Sequence, residues 1–470
     1  MADNKSGQTD GNNGLSIKAF TQDTSMHGLK YVTAEGYIIR RLFWAIAVVG
    51  MGATLIYMLC AQMVLFWSRP ILTKYSIGEA TVLDFPAVTI CNTNGINTKY
   101  FSPDEKLRNY LYDTGHLGII SQPINWSDPF YSTWKMDEDF MRNVANRLET
   151  MIFLAYWRGG VINASEYFTE RITPNGVCYT FNDLTQGNGR EVLKSQITGS
   201  LAGLVVALNV EQDSYYYGKF NMAAGVKVVL HDPHEEPDVM SLGFTIPPGY
   251  TSYISMRHQT NTYLPKPYKA FTDGYCVESH LAEFENPLQY YTTYSQFACL
   301  MECKAEVMVQ KCGCRTFDLP GNVSVCTLKV AKECAIPANE AFFLDPKYKQ
   351  SCNCPKPCVV KSYKTQLSMA YFPADGVQNY WKLHTDIRNN FLELRLFYQE
   401  MEFDHTEQVP EYTLEGILAN LGGQMGLFLG ASVLTATELV EFFLLHLLVI
   451  IHKLKRPFTG TRVETLRPEK

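Results

Sequence analysis

"QMGLFLGASVLTATELVEFFLLHLLVII", residues 424–451, has the apolar density of a membrane span, yet it carries Glu438 and Glu441 and packs Gly426, Gly430, Ala431 and Ser432 just ahead of them. A charge at bilayer depth costs about 2.5–3.5 kcal/mol even on the mildest insertion scales. Read as one α-helix, positions 430, 434, 438, 441 and 445 recur every three or four residues, so Gly430, Leu434, Glu438 and Glu441 are expected near one stripe. That stripe should meet water or a partner rather than lipid. A single stripe cannot enclose a pore, but a ring of identical chains can, and the two acids then become cation-attracting rings. The small residues allow close helix approach, or expose backbone carbonyls of the kind that line a filter for a dehydrated cation. The plainer alternative is a small-residue packing patch with both glutamates at the cytosolic interface; for Glu441, about three turns before Lys453, both readings stand.

A second apolar run, "LFWAIAVVGMGATLIYMLCAQMVLFW" at 42–67, holds no charged residue. At ~1.5 Å per residue it is long enough to cross ~30 Å of hydrocarbon. Arg40 and Arg41 precede this run, and Lys453, Lys455 and Arg456 follow the other. The positive-inside bias therefore puts both termini in the cytosol. The first run starts too late and is too long for a signal peptide. The expected organisation is a cytosolic N-terminus (1–41), a first span (42–67), an extracellular domain (68–410), a second span (411–452) and a cytosolic C-terminus (453–470), in the plasma membrane. The net charge of -6 and a mean hydropathy of -0.11 fit a chain whose mass lies mostly outside lipid. The first 25 residues, polar and rich in Gly and Asn, are expected to be disordered. The tail beyond Pro457 is short and basic, and there is no internal repeat.

Of 13 cysteines only Cys60 lies in a span. The even remainder in an oxidising compartment reads as six disulfides. "SQFACLMECKAEVMVQKC" is expected to be a helix, on which Cys299 and Cys303 share a face ~6 Å apart. In "CNCPKPC", Cys352 and Cys354 share a face of an extended strand at ~6.6 Å. The two pairs can ladder, Cys299 with Cys354 and Cys303 with Cys352. The loop between them suggests a nested pair, Cys312 with Cys334 and Cys314 with Cys326. Cys91 with Cys178 and Cys276 with Cys358 complete the set. The competing zinc reading of clustered cysteines is set aside because thiolates rarely stay reduced outside the cell. The sequons at Asn125, Asn163 and Asn322 fall in the same block.

"FPAVTIC", "AGLVVALNVEQD" and "AGVKVVLHD" read as strands. Residues 96–168, with "DEDFMRNVANRLETMIFLAYW", read as a helical insertion on a β core. No nucleophile elbow, phosphate loop or zinc helix motif is present, so an enzyme is not expected, and neither is a metal, a cofactor or a nucleic-acid partner. His231 and His234, in "LHDPHEEPD", read as surface residues.

Several separated motifs together resemble the degenerin/epithelial sodium channel superfamily, in its acid-sensing or peptide-gated branch. They are "HG" at 27–28, "FPAVTICN" at 85–92, "GVCYTFN" at 176–182, "YLPKP" at 263–267, "CGCR" at 312–315, "CNCPKPC" at 352–358 and "GGQMGLFLGAS" at 422–432. They run in the family's order over nearly the whole chain. The resemblance implies an α+β membrane protein with two transmembrane helices and a large disulfide-rich β-core ectodomain carrying helical finger and thumb elements, assembled as a homo- or heterotrimer. It implies that Gly430, Ala431 and Ser432 form a selectivity filter and that His27 and Gly28 line the inner pore, where Glu438 and Glu441 would also lie. Ala419 would stand at the site where bulky replacement holds degenerin channels open. The nested cysteine pairing coincides with the family's thumb ladder, and one further family bridge has no cysteines here.

Departures bear on the stimulus. Glu235, Glu236 and Glu340 match acidic sensing positions, but Gly95, Ile336 and Arg395 stand where the acid-sensing branch has acids. "SRPILTKYS" after the first span lacks that branch's histidine, and Tyr268 replaces its coupling tryptophan. With carboxylate partners removed and an Arg added, the remaining acids are expected to stay ionised. The resemblance therefore implies a ligand-gated, sodium-selective, amiloride-sensitive channel with Na+ as permeant ion, opened by an extracellular ligand such as an amidated neuropeptide. A proton-gated or constitutively active sodium channel of the same family is the alternative. An ATP-gated trimer, which would want an ectodomain lysine cluster and does not predict "GLFLGAS", and a non-conducting surface receptor are the readings from other classes.

Overall fold

Apolar surface and local backbone chemistry sort the chain into two kinds of structure. The computed structural model describes residues 17–113, 124–185, 187, 189–216, 223–272, 274–380 and 386–455. Two compact units fall within Met1–Leu72 with Pro410–Lys470, and within Thr73–Val409.

The first unit is helical. The uninterrupted apolar run forms a 31-residue helix, Ile38–Ser68, ended by Arg69 in the left-handed region. At ~1.5 Å per residue it is roughly 46 Å long, more than the hydrocarbon core requires. Two further helices, Leu414–Leu429 and Val433–Lys455, take up the other apolar segment. Ile38–Ser68 and Val433–Ile451 are long and apolar enough to cross a membrane, and only 6% of the apolar window of each is buried. Such exposed apolar surface has no stable place in water. Leu414–Leu429 packs against the first long helix, where Gln424 Nε2 donates to Gln62 Oε1 at 3.3 Å. Ahead of that helix, Ile17–Asp23 and Leu29–Thr33 are short helices. The disorder expected of the first 25 residues thus fails from Ile17 on: Phe20 rests on Phe442 with ring centroids 4.4 Å apart, an apolar anchor that polar composition hid. Residues 1–16 and the basic tail, with Arg456, lie outside the described residues.

The second unit is built on two sheets. In one, Val359–Tyr371 pairs antiparallel with Tyr250–Thr262, which pairs parallel with Phe391–Pro410. Leu204–Asn209, Ile152–Trp157 and Gly160–Val161 continue the sheet, and Ile71–Glu79 joins Phe391–Pro410. The period-two signature is explicit in Phe391–Pro410, where Leu392, Leu394, Leu396 and Tyr398 are buried and the residues between them are not. The other sheet runs Phe244–Ile246, Val226–His231, Ala87–Asn92, Gly176–Phe181, Phe168–Thr173. Its central strands Ala87–Asn92 and Gly176–Phe181 are buried along their whole length, so "FPAVTIC" is a strand as expected but with both faces covered. Phe85, Trp157, Phe181 and Tyr398 meet edge-on or tilted in the core.

The insertion carries helices Glu105–Asp113, Pro129–Thr133 and Glu138–Val144, the last two N-capped by Asp128 and Asp137. "IFLAYW" departs from the helical expectation. Residues Ile152–Trp157 are a strand, because β-branched and aromatic side chains pair with Leu204–Asn209 and bury Ile152 and Ala155. Farther on, helix Gln296–Cys312 starts at the Ser295 cap and stops at Gly313.

Six disulfides cross this unit: Cys91–Cys178, Cys276–Cys358, Cys299–Cys354, Cys303–Cys352, Cys312–Cys334 and Cys314–Cys326. Four of them tie the Gln296–Cys312 helix and the segment after it into one piece. The sequon asparagines Asn125, Asn163 and Asn322 are all exposed.

One buried ion pair fixes the turn that follows Val226–His231. Arg171 Nε and Asp183 Oδ2 are 2.7 Å apart, Asp183 is almost wholly buried, and Arg171 Nη1 also reaches Glu236 at 3.4 Å. Arg171→Met should leave Asp183 uncompensated and destabilise the unit by about 3–5 kcal/mol, read as a lower unfolding midpoint and reduced surface expression. An unchanged midpoint would show that the pair is dispensable.

Candidate functional site

The second span is not one helix. Leu414–Leu429 ends where Gly430 takes φ 61, the left-handed region that glycine enters without a steric penalty, and a new helix starts at Val433. The Gly430 and Ala431 amides close the first helix on the carbonyls of Gly426 and Met425, at 3.0 and 3.2 Å. Ser432 opens the second reciprocally: its N–H donates to Thr435 Oγ1 at 3.0 Å, and its Oγ accepts from Thr435 N–H at 3.4 Å. Between these caps, among the described residues, the carbonyls of Gly430 and Ala431 accept no backbone hydrogen bond. This corrects the single stripe expected of Gly430, Leu434, Glu438 and Glu441. The break moves Gly430 off the helix that carries the two acids.

The N-terminal segment seats against this break. His27 N–H donates to the Leu429 carbonyl at 2.9 Å, and the His27 ring lies so close to Gly430 that a Cβ there would overlap it, 1.3 Å from Nδ1. Gly28 has φ 88, and a Cβ on it would meet Val48 at 2.9 Å. Glu438 holds the residues just before: its Oε2 accepts from Thr24 Oγ1 at 3.0 Å and from Ser25 N–H at 3.3 Å. Ser25 Oγ also meets Thr435 Oγ1 at 2.6 Å. The structure thus brings His27, Gly28, Gly430, Ala431 and Glu438 together. Glu441 and Ala419 are exposed on their helices and take no part in this cluster. Thr24, Ser25 and Thr435 went unremarked in the sequence because short hydroxyl residues carry no pattern of their own.

The acidic candidates sit in the other unit, two of them in the turn after Val226–His231. Asp232 Oδ1 accepts from the backbone N–H of His234 at 3.0 Å and lies 3.1 Å from its Nδ1, while Oδ2 pairs with Lys361 Nζ at 3.0 Å. Glu235 N–H closes the turn on the Asp232 carbonyl at 3.0 Å. Burial first, and then the Asp232 charge, push the Glu235 carboxyl up to about 7, against a smaller downward pull from Lys361. The expectation that the remaining acids stay ionised does not fit Glu235, where burial and the neighbouring Asp232 charge act together to raise the carboxyl. Glu236 is also raised, by burial, with Arg171 opposing. Glu340 is exposed on helix Ile336–Leu344 and, among the described residues, has no hydrogen bond or ion pair with either.

His231 is not a surface residue. It is buried at the end of its strand, with Nε2 2.8 Å from Thr89 Oγ1 and Nδ1 3.0 Å from the Asp232 carbonyl, and burial lowers its pKa to about 4. Arg395 pairs with Glu393 on its own strand. Gly95 lies against the Asn175 carbonyl, so close that a Cβ would come within 2.9 Å, which leaves no room for an acid. Tyr268 is half-buried, its N–H on the Pro265 carbonyl. Asp404, absent from the sequence reading, is a buried hub 2.9 Å from Tyr75 Oη and 3.0 Å from Lys364 Nζ.

The chain as a whole is similar to known proteins. The sequence profile of the family described as "Amiloride-sensitive sodium channel" matches residues 20–442. Acid-sensing ion channel 1 of Gallus gallus is 30% identical over 466 residues, covering 93% of this chain and 85% of the relative. Acid-sensing ion channel 2 of Homo sapiens is 30% identical over 458 residues, covering 91% and 86%. A cryo-EM structure of a proton-activated chloride channel aligns over 86% of this chain and 98% of its own at a TM-score of 0.32 and 6% identity, too slight a likeness to carry any argument. A profile match over nearly the whole chain and two such relatives decide the assignment: this two-span, disulfide-rich chain belongs to the amiloride-sensitive sodium channel family, a family of ion channels and not of enzymes.

Proposed function

We propose that three copies of this chain surround an axis and form a sodium-selective, amiloride-blocked channel of the plasma membrane, with both termini in the cytosol and the disulfide-bonded, glycosylated unit outside. The observation that carries this reading is the helix break at 430–432. Backbone carbonyls without hydrogen-bond partners are costly at membrane depth unless they meet water, protein or an ion. In a symmetric assembly the Gly430 and Ala431 carbonyls and the exposed Ser432 hydroxyl form rings that replace part of the hydration shell of Na+. Glu438 then anchors the His27–Gly28 turn against the filter, and Glu441 is the acid left to attract cations.

For the stimulus we favour protons. A carboxyl with a pKa raised to about 7 is ionised at higher pH and takes up its proton as pH falls through that value. Acidification therefore removes one negative charge beside the Asp232–Lys361 pair. The relatives' names, acid-sensing ion channels, point the same way. An amidated neuropeptide is the second reading, supported by Gly95, Ile336 and Arg395 where acids would stand and by the exposed carboxylate of Glu340.

Three measurements on the expressed channel test the proposal. Ser432→Leu should lower the sodium-to-potassium permeability ratio several-fold; an unchanged ratio would remove the filter assignment. Ala419→Trp should give standing inward current without any stimulus, and silence at normal surface expression would argue against Ala419 as a gate position. Stepping from about pH 8 to about pH 6 should open the wild-type channel, whereas Glu235→Gln should blunt that response; an identical pH curve in the variant would leave the peptide reading in place.

A further inference from the structure

A cavity of about 250 Å³ lies in the β-rich unit beside the paired strands Tyr250–Thr262 and Val359–Tyr371. Three ordinarily charged side chains line it, and two of them cancel, since Lys361 and Asp232 form the ion pair already described. Asp84 is the third. Its backbone carbonyl accepts from Tyr398 Oη at 2.6 Å, but among the described residues its carboxylate has no hydrogen bond or ion pair. The rings of His258, Tyr363 and Phe403 line the same cavity, that of His258 lying 5.5 Å from Tyr363 and 6.4 Å from Phe403, centroid to centroid. Burial, and then Lys361, hold His258 below its ordinary pKa, so the ring adds no competing charge. Val82, Leu83 and Val192 supply apolar surface to the rest of the lining, and His234 and Thr260 supply polar groups.

We propose that this cavity is a binding site for a small aromatic amine, whose ammonium pairs with Asp84 and whose ring lies against Tyr363, His258 and Phe403. A lone carboxylate beside π faces selects an organic cation over an anion, because ion pairing and cation–π attraction act together. The volume is below the ~300–1,000 Å³ of sites for drug-sized ligands, which limits the occupant to one ring and a short tail. The inference rests on the cavity and not on conduction, so it can fail while the channel reading stands, and the reverse.

The test uses the full chain at the cell surface with Cys60→Ser and one new cysteine in the cavity wall, Val192→Cys, labelled by a membrane-impermeant maleimide. Phenethylamine should slow labelling several-fold, and leave unchanged the labelling of Val161→Cys, an exposed position outside the cavity. Thr260→Cys serves as a second reporter should Val192→Cys not reach the surface. Adding Asp84→Asn should raise the phenethylamine concentration for half-protection about tenfold, the size of one charge-assisted hydrogen bond. Labelling unaffected by phenethylamine at either reporter, equal protection with Asp84→Asn, or protection by phenylacetate instead would each overturn the proposal.

Discussion

A polypeptide backbone that leaves its helix must have something take over the abandoned hydrogen bonds, and the arrangement around Gly430 obeys that constraint. Local caps handle most of the amides: those of Gly430 and Ala431 turn back on the helix behind them, and that of Ser432 turns forward to Thr435. The Leu429 carbonyl is met from elsewhere, by the amide of His27. Gly430 serves two demands at once, a left-handed backbone and an empty space where the His27 ring rests. The N-terminal segment is therefore part of the second span's structure, and Glu438 reinforces the junction through Thr24 and Ser25.

The turn after Val226–His231 obeys the related rule for side chains, that a buried charge needs a partner. Asp232 has Lys361 and the His234 amide, and Glu236 has Arg171. Among the described residues Glu235 shares the same surroundings without a counter-ion in bonding contact, and its pKa is pushed up to about 7. Burial raises both Glu235 and Glu236, and the nearby charges, Asp232 and Lys361 for the first and Arg171 for the second, then set the two apart.

Separation along the chain explains what the sequence revealed. The strands at 87–92, 204–209 and 226–231 and the helix at 296–312 were legible because their period or apolar density is local. The disulfide ladder was legible because an i, i+4 pair on a helix matches an i, i+2 pair of extended chain in spacing, although Cys352 and Cys354 lie in the bend and irregular chain after helix Pro346–Ser351 and not on the strand expected there. The break at 430–432 was not, since a glycine reads the same in hydropathy whether its φ is negative or positive, and the histidine that requires it lies near the opposite terminus. "IFLAYW" misled for a similar reason: only its pairing with Leu204–Asn209 makes it a strand. The seating of Glu438 and the raised pKa of Glu235 both depend on contacts between distant segments, and composition is silent about those.

The cross-linked segment after Ser295 has a modest apolar core, centred on Met301, Ala305, Met308, Leu319 and Ala335. Sulfur bridges do there what buried hydrocarbon does in the sheets. Its outer surface is consequently released from the duty of folding, so exposed positions such as Glu306 and Glu333 can change identity at small thermodynamic cost. A lineage could re-tailor that face for new visitors while the scaffold beneath keeps its shape, provided the chain matures in a compartment that oxidises thiols.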